Sequence, residues 1–217
     1  MKILDIVLDL LFPPRCAFCR KLLNDGEKGI CRACRRSLPY VPETAAREYR
    51  DIAKCVAPLY YEGSVRESLL RYKFAGLSAY GQVYAGLVAR CVEESGISCD
   101  LVTWAPLSWR RLRKRGYDQA RLIAEGAARE LGLPCVKLLA KTRNNPPQSS
   151  LGSEEKRRAN ARGVYRCRDG AAVLGKRILI IDDIVTTGAT LCECARVLRA
   201  AGAAEVFAAA AACGRDR

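Results

Sequence analysis

The sequence predicts an α/β fold, a mostly parallel sheet flanked by helices, with a small cysteine-rich unit in front of it. Three features lead there. From Val56 onward, short apolar runs alternate with stretches of helical periodicity. The run RILIID (177–182) is apolar without alternation, as a strand covered on both faces requires. The first fifty residues instead carry two C-x-x-C pairs, closed by the charged connector ETAAREYRD. The expected division is residues 1–50 and residues 51–217.

Taken in order, residues 3–12 read as a short helix stopped by Pro13 and Pro14. A strand is expected at 56–61, helices at 65–74 and 80–94, and a strand at 101–105. Arg110 to Arg115 then form a basic loop. Asp118 is placed to cap a helix whose Ala120, Ile123, Ala124, Ala127 and Leu131 share one face, and Gly132 and Pro134 end it. A strand at 135–139 leads into a polar stretch, 141–166, long enough to be a functional loop. The last units are a strand at 177–182, a helix at about 189–200 with Gly202 just past its end, and a strand at 205–211. Trp104 and Tyr117 are assigned to the core, while Trp109 and Tyr165 are left open.

The formal charge of +14 points to an anionic partner, either phosphates of a small ligand, nucleic acid or an acidic surface. Histidine is absent, so a general base would have to be another side chain or the substrate itself. Asp5 and Asp9 interrupt the apolar start and argue against a signal peptide, and no apolar run reaches the roughly 18 residues of a membrane span. A cytoplasmic setting follows, in which cysteines are thiols or metal ligands. Cys16, Cys19, Cys31 and Cys34 form two C-x-x-C knuckles, each able to turn two thiolates to one point, and two knuckles complete a tetrahedron around structural Zn²⁺. The other eight cysteines are scattered, most of them read as small buried apolar residues.

The segment IIDDIVTTGATL (180–191) carries the densest chemistry. A Thr- and Gly-rich loop between a strand and a helix gathers backbone N–H groups at a positive helix end, where a phosphate binds. Thr186, Thr187 and Thr190 add hydroxyl donors, and Gly188 permits close backbone approach. Asp182 and Asp183 would repel that phosphate directly, but beside it they can accept hydrogen bonds from neutral hydroxyls. A sugar with a 5-phosphate and vicinal hydroxyls meets both demands. The lysine of a Walker A loop and the G-x-G-x-x-G of a dinucleotide site are both missing.

This motif resembles the phosphoribosyl pyrophosphate (PRPP) motif of type I phosphoribosyltransferases. The resemblance implies that Asp182 and Asp183 hold the ribose hydroxyls and that Thr186, Thr187, Gly188, Ala189 and Thr190 hold the 5-phosphate. With RYKFAG (71–76), WAPLSWRRLRKRGYDQA (104–120), QSSL (148–151), RRAN (157–160) and the four-cysteine unit, nearly the whole chain is similar to the ComF family, which is linked to DNA uptake in competent bacteria. One departure is Asp118, where the family pattern has Asn.

The resemblance further implies that Arg110, Arg111, Arg113 and Arg115 bind the pyrophosphate leaving group, and that 141–166 closes over PRPP with Gln148, Arg157 and Asn160 as contacts. Mg²⁺ would accompany PRPP, and the acceptor is unspecified. The rival expectation is a competence factor that binds single-stranded nucleic acid, or the DNA-uptake machinery, on the same scaffold, with arginines reading phosphate.

Overall fold

The structure, a computed structural model, describes residues 13–42, 46–144 and 154–215, without the side chains of residues 154 and 156–158. The helix expected at 3–12 lies outside the described residues.

Five strands form the main sheet in the order β1-β2-β7-β6-β3: β1 (Arg47–Tyr49), β2 (Ile52–Val56), β3 (Leu101–Trp104), β6 (Arg177–Val185) and β7 (Glu205–Cys213). β2, β7, β6 and β3 run parallel, and β1 adds an antiparallel edge through a tight turn at Asp51 (φ 65°). A second, two-stranded antiparallel sheet pairs β4 (Leu139–Lys141) with β5 (Tyr165–Cys167).

β6 shows why its apolar run does not alternate. Ile178 and Ile180 point into one core, Leu179 and Ile181 into the other, and all four are fully buried. Each such side chain contributes roughly 1.5–3 kcal/mol of burial. One face is covered by α2 (Gly63–Phe74), α3 (Tyr80–Glu94) and α5 (Gln119–Glu130), the other by α7 (Ala189–Ala200) and the small sheet. The middle strand β7 is packed through alanines, Ala208 to Ala212, all without exposed surface.

Several expected boundaries change. The strand at 56–61 lies earlier, at Ile52–Val56, because Pro58 cannot donate to a ladder; Leu59 and Tyr60 keep only single bridges to Tyr40 and Cys213. The strand at 135–139 moves to Leu139–Lys141, with Cys135 making one bridge to Val102. The basic loop is a helix, α4 (Trp109–Arg115), ended by Gly116 at φ 79°. The polar stretch holds α6 (Glu154–Ala161) and β5. α5 begins as expected, with the Asp118 carboxylate accepting from Arg121 N at 3.3 Å.

The cysteine unit is not a separate lobe. Cys16, Phe18, Cys31 and Cys34 belong to the same core as α2, α3 and α5. Phe18 meets Tyr84 edge-on at 6.0 Å between ring centroids.

Candidate active site and metal centre

A cleft of about 370 Å³ opens beside the C-terminal half of β6, the end of a parallel sheet where α/β folds place ligands. Its walls come from α2, the β3–α4 turn, α4, β4, β5, β6 and the start of α7.

Asp182 and Asp183 are half-buried on this wall, and the Asp183 N–H donates to Asp182 Oδ1 at 2.8 Å. Burial, followed by the neighbouring charge of Asp183, pushes the Asp182 carboxyl well above the usual carboxylate range. Lys73 of α2 reaches Asp183 with Nζ–Oδ1 of 2.9 Å. The adjacent acids therefore differ, one paired with an ammonium and the other favouring its proton.

The loop Thr186, Thr187, Gly188, Ala189 and Thr190 lines the same cleft. Gly188 is the N-cap of α7 at φ 70°, and no side chain caps that helix. Its first N–H groups are thus presented with the positive end of the helix dipole. The space a Gly188 Cβ would need is already taken by the Tyr49 ring of β1, at 2.4 Å from Cε1.

Of the four arginines expected at a pyrophosphate, Arg111 and Arg115 line the cleft, half-buried, whereas Arg110 and Arg113 are exposed and outside its lining. Arg113 lies over the exposed Trp109 ring, 5.3 Å from its centroid. α4 explains the split, because successive residues of a helix turn by about 100° and one turn cannot aim all four into one cleft. Arg115 is held by Gln119 Oε1 at 2.8 Å and by the Phe74 ring at 5.1 Å.

Gln148 lies outside the described residues, as does the side chain of Arg157. Asn160 is half-buried on α6 and is not part of the cleft wall. Sequence reasoning overlooked Lys73 and Lys141. Lys73 sits inside the RYKFAG stretch, which was the available signal; Lys141 carried none beyond the start of a basic stretch. Lys141 faces the Tyr165 ring at 5.2 Å, and burial, then the charge of Arg111, lowers its pKa to about 8. Tyr165, left open by the sequence, is a buried wall residue. Trp104 is buried and Tyr117 packs against the core.

In the cysteine unit, the Sγ atoms of Cys16, Cys19, Cys31 and Cys34 all lie within 4.8 Å of one another. Cys19 and Cys31 Sγ are 3.7 Å apart, close to the roughly 3.8 Å that tetrahedral Zn–S bonds of about 2.3 Å impose. Cys31 N–H points to Cys16 Sγ and Cys34 N–H to Cys31 Sγ, each at 3.5 Å, the polarity that favours thiolates. Cys31 also caps α1 (Arg32–Ser37). The residues fit a four-thiolate structural zinc.

Residues 118–217 match the phosphoribosyl transferase domain family, and residues 7–47 the double zinc ribbon domain. The C-terminal part of the chain thus carries a phosphoribosyl transferase domain, with a double zinc ribbon in front of it. Competence protein F of Haemophilus influenzae is 25% identical over 88% of this chain and 93% of its own. The DNA utilization protein YhgH of Escherichia coli is 27% identical over 91% and 96%. Competence protein ComFC of Bacillus subtilis is 28% identical over 87% and 79%. The chain is similar to these ComF-type proteins along most of its length. Among the described residues no helix is long and apolar enough to cross a membrane.

Proposed function

We propose that the protein binds PRPP with Mg²⁺ and transfers its phosphoribosyl group to an acceptor, in the service of DNA uptake or utilisation. The supporting observation is convergence. Two carboxylates, an uncapped helix start with hydroxyls, two arginines and two lysines all border one cleft.

In this reading the 5-phosphate sits on the N–H groups at the start of α7, with Thr186, Thr187 and Thr190 donating hydroxyl protons. Asp182 and Asp183 accept from the ribose hydroxyls and fix the sugar beside the loop. Arg111, Arg115 and Lys141 take the pyrophosphate, where charge-assisted bonds stabilise the departing anion. Mg²⁺, when bound with PRPP, supplies further neutralising charge, and the two carboxylates suit its preference for oxygen. The C1–O bond breaks towards pyrophosphate as positive charge builds on the sugar, which Asp183 stabilises, joined by Asp182 once a bound cation has displaced its proton. An acceptor nitrogen then forms the new bond to C1 and gives up its proton to the released pyrophosphate or to water. No protein histidine is required for this chemistry.

The test is calorimetric titration with PRPP and Mg²⁺ on the wild type and on Asp183→Asn. Micromolar binding that the variant weakens by about tenfold or more is the expected result, since one charge-assisted hydrogen bond is lost. Equal affinity in both proteins would remove the ribose assignment. Product screening with amines and nitrogenous bases then addresses the acceptor.

A further inference from the structure

Three consecutive residues of α2 reach three different parts of the protein. Arg71 Nη2 donates to the carbonyls of Ala17, at 3.1 Å, and Phe18, at 2.8 Å, inside the knuckle between Cys16 and Cys19. Tyr72 is fully buried, and its hydroxyl donates to Gln119 O at 2.9 Å at the start of α5. Lys73 ends on Asp183.

A helix turns by about 100° per residue, so Arg71 and Lys73 point to nearly opposite sides of α2. The helix is held between the metal knuckle and the acidic pair, with Tyr72 as the fixed point. Neither outer contact is a solvated surface pair. The side chains of Lys73 and Asp183 are only 16% and 13% exposed. Arg71 Nε is buried with no hydrogen-bond partner among the described residues, which leaves the two knuckle carbonyls as its short-range acceptors; the Glu67 carboxylate is 3.8 Å from Nη1. A second link runs in parallel: Phe18 rests on Tyr84, whose hydroxyl donates to Ser68 Oγ of α2 at 2.7 Å.

We propose that Arg71 is a positioning residue that couples the four-cysteine zinc site to Asp183 through Lys73, so that zinc in the ribbon and PRPP in the cleft stabilise each other. The ligand side rests on the phosphoribosyl reading above. The knuckle carbonyls keep their places only while the thiolates around them are gathered on the metal. When they move, the Arg71 guanidinium is left buried without acceptors, a state α2 escapes by shifting or turning. Either motion withdraws Lys73 from Asp183. Linkage makes the effect reciprocal, so a ligand that needs Asp183 in place slows loss of the metal.

The experiment uses four full-length zinc-loaded proteins: wild type, Arg71→Ala, Lys73→Gln and the double variant. Each is titrated with PRPP and Mg²⁺, and zinc loss to a chromophoric chelator is followed with and without PRPP. Arg71→Ala should weaken PRPP about tenfold in the wild-type background and by less than twofold where Lys73 is already Gln. Saturating PRPP should slow zinc loss in the wild type and not in Lys73→Gln. If Arg71→Ala fails to retain zinc, Arg71→Lys, which can still reach a carbonyl, replaces it. An equal cost of the Arg71 change in both backgrounds would overturn the coupling. So would bound PRPP that leaves zinc loss unchanged. Absence of PRPP binding in the wild type would instead remove the phosphoribosyl reading. Zinc loss alone then decides the coupling: Lys73→Gln must speed it only where Arg71 is present, and equal rates in the wild type and Lys73→Gln would overturn it.

Discussion

Gly188→Ala is the substitution whose cost can be worked out most fully. The residue holds φ at 70°, where an alanine Cβ crowds the following carbonyl at a cost of about 1–2 kcal/mol. The added carbon would also lie 2.4, 2.6 and 2.8 Å from Cε1, Cδ1 and Cζ of Tyr49. Three atoms of one rigid ring must therefore move together, and overpacking of this kind costs about 1–3 kcal/mol. Loss of about 2–5 kcal/mol follows from the two effects together. Urea unfolding of the wild type, Gly188→Ala, Tyr49→Ala and the double variant separates them. Removing the ring should recover the clash and leave the backbone cost. A Gly188→Ala protein as stable as the wild type would refute the reasoning, as would strictly additive losses in the double variant.

Cys31→Ser should lower zinc content below one equivalent and loosen the ribbon, because the change removes one of four thiolates while the serine hydroxyl still caps α1; full zinc occupancy by metal analysis would show that the ligand set is wrong. PRPP affinity should fall as pH rises through about 8, where Lys141 loses its charge in the empty cleft, and Lys141→Met should weaken binding at pH 7 and flatten that profile. The sign for the unliganded fold is opposite. With the folded pKa below the unfolded value of about 10.4, the folded state binds the fewer protons between the two, and stability increases with pH across that window. Asp118→Asn should cost about 1 kcal/mol by thermal melting, although Asn is what the ComF resemblance implies at this position. Both carboxylate oxygens accept here, from Leu107 N at 3.0 Å and Arg121 N at 3.3 Å, and an amide offers only one acceptor; an unchanged melting temperature would show that one of these bonds is dispensable.

What could be read before folding was chemistry carried by neighbours in sequence. IIDDIVTTGAT declares strand, acids, loop and helix in order, and the cleft contains each of those residues from Asp182 to Thr190. The four cysteines were legible for the same reason, since two knuckles have no simpler use. Lys73 was not, because its meaning is a contact with a residue far along the chain, and on α2 it is one of several basic positions. The helix WRRLRKR was read as a loop because its apolar Trp109 and Leu112 are 62% and 41% exposed and mark no core-facing stripe. The strand expected over VAPLYY (56–61) contains Pro58, which excludes its middle from a ladder, and the pairing falls on IAKCV instead.

The alanine run of β7 has a consequence for anyone who diversifies this protein. Ala208 to Ala212 lie in the middle strand with no exposed surface, so a larger side chain at any of them must displace buried neighbours. A combinatorial library that randomises these positions is biased towards small residues, since overpacking a core costs about 1–3 kcal/mol. Variation belongs on the exposed face of α4, at Trp109 and Leu112, where side chains reach solvent and a new shape can be tried without disturbing that core.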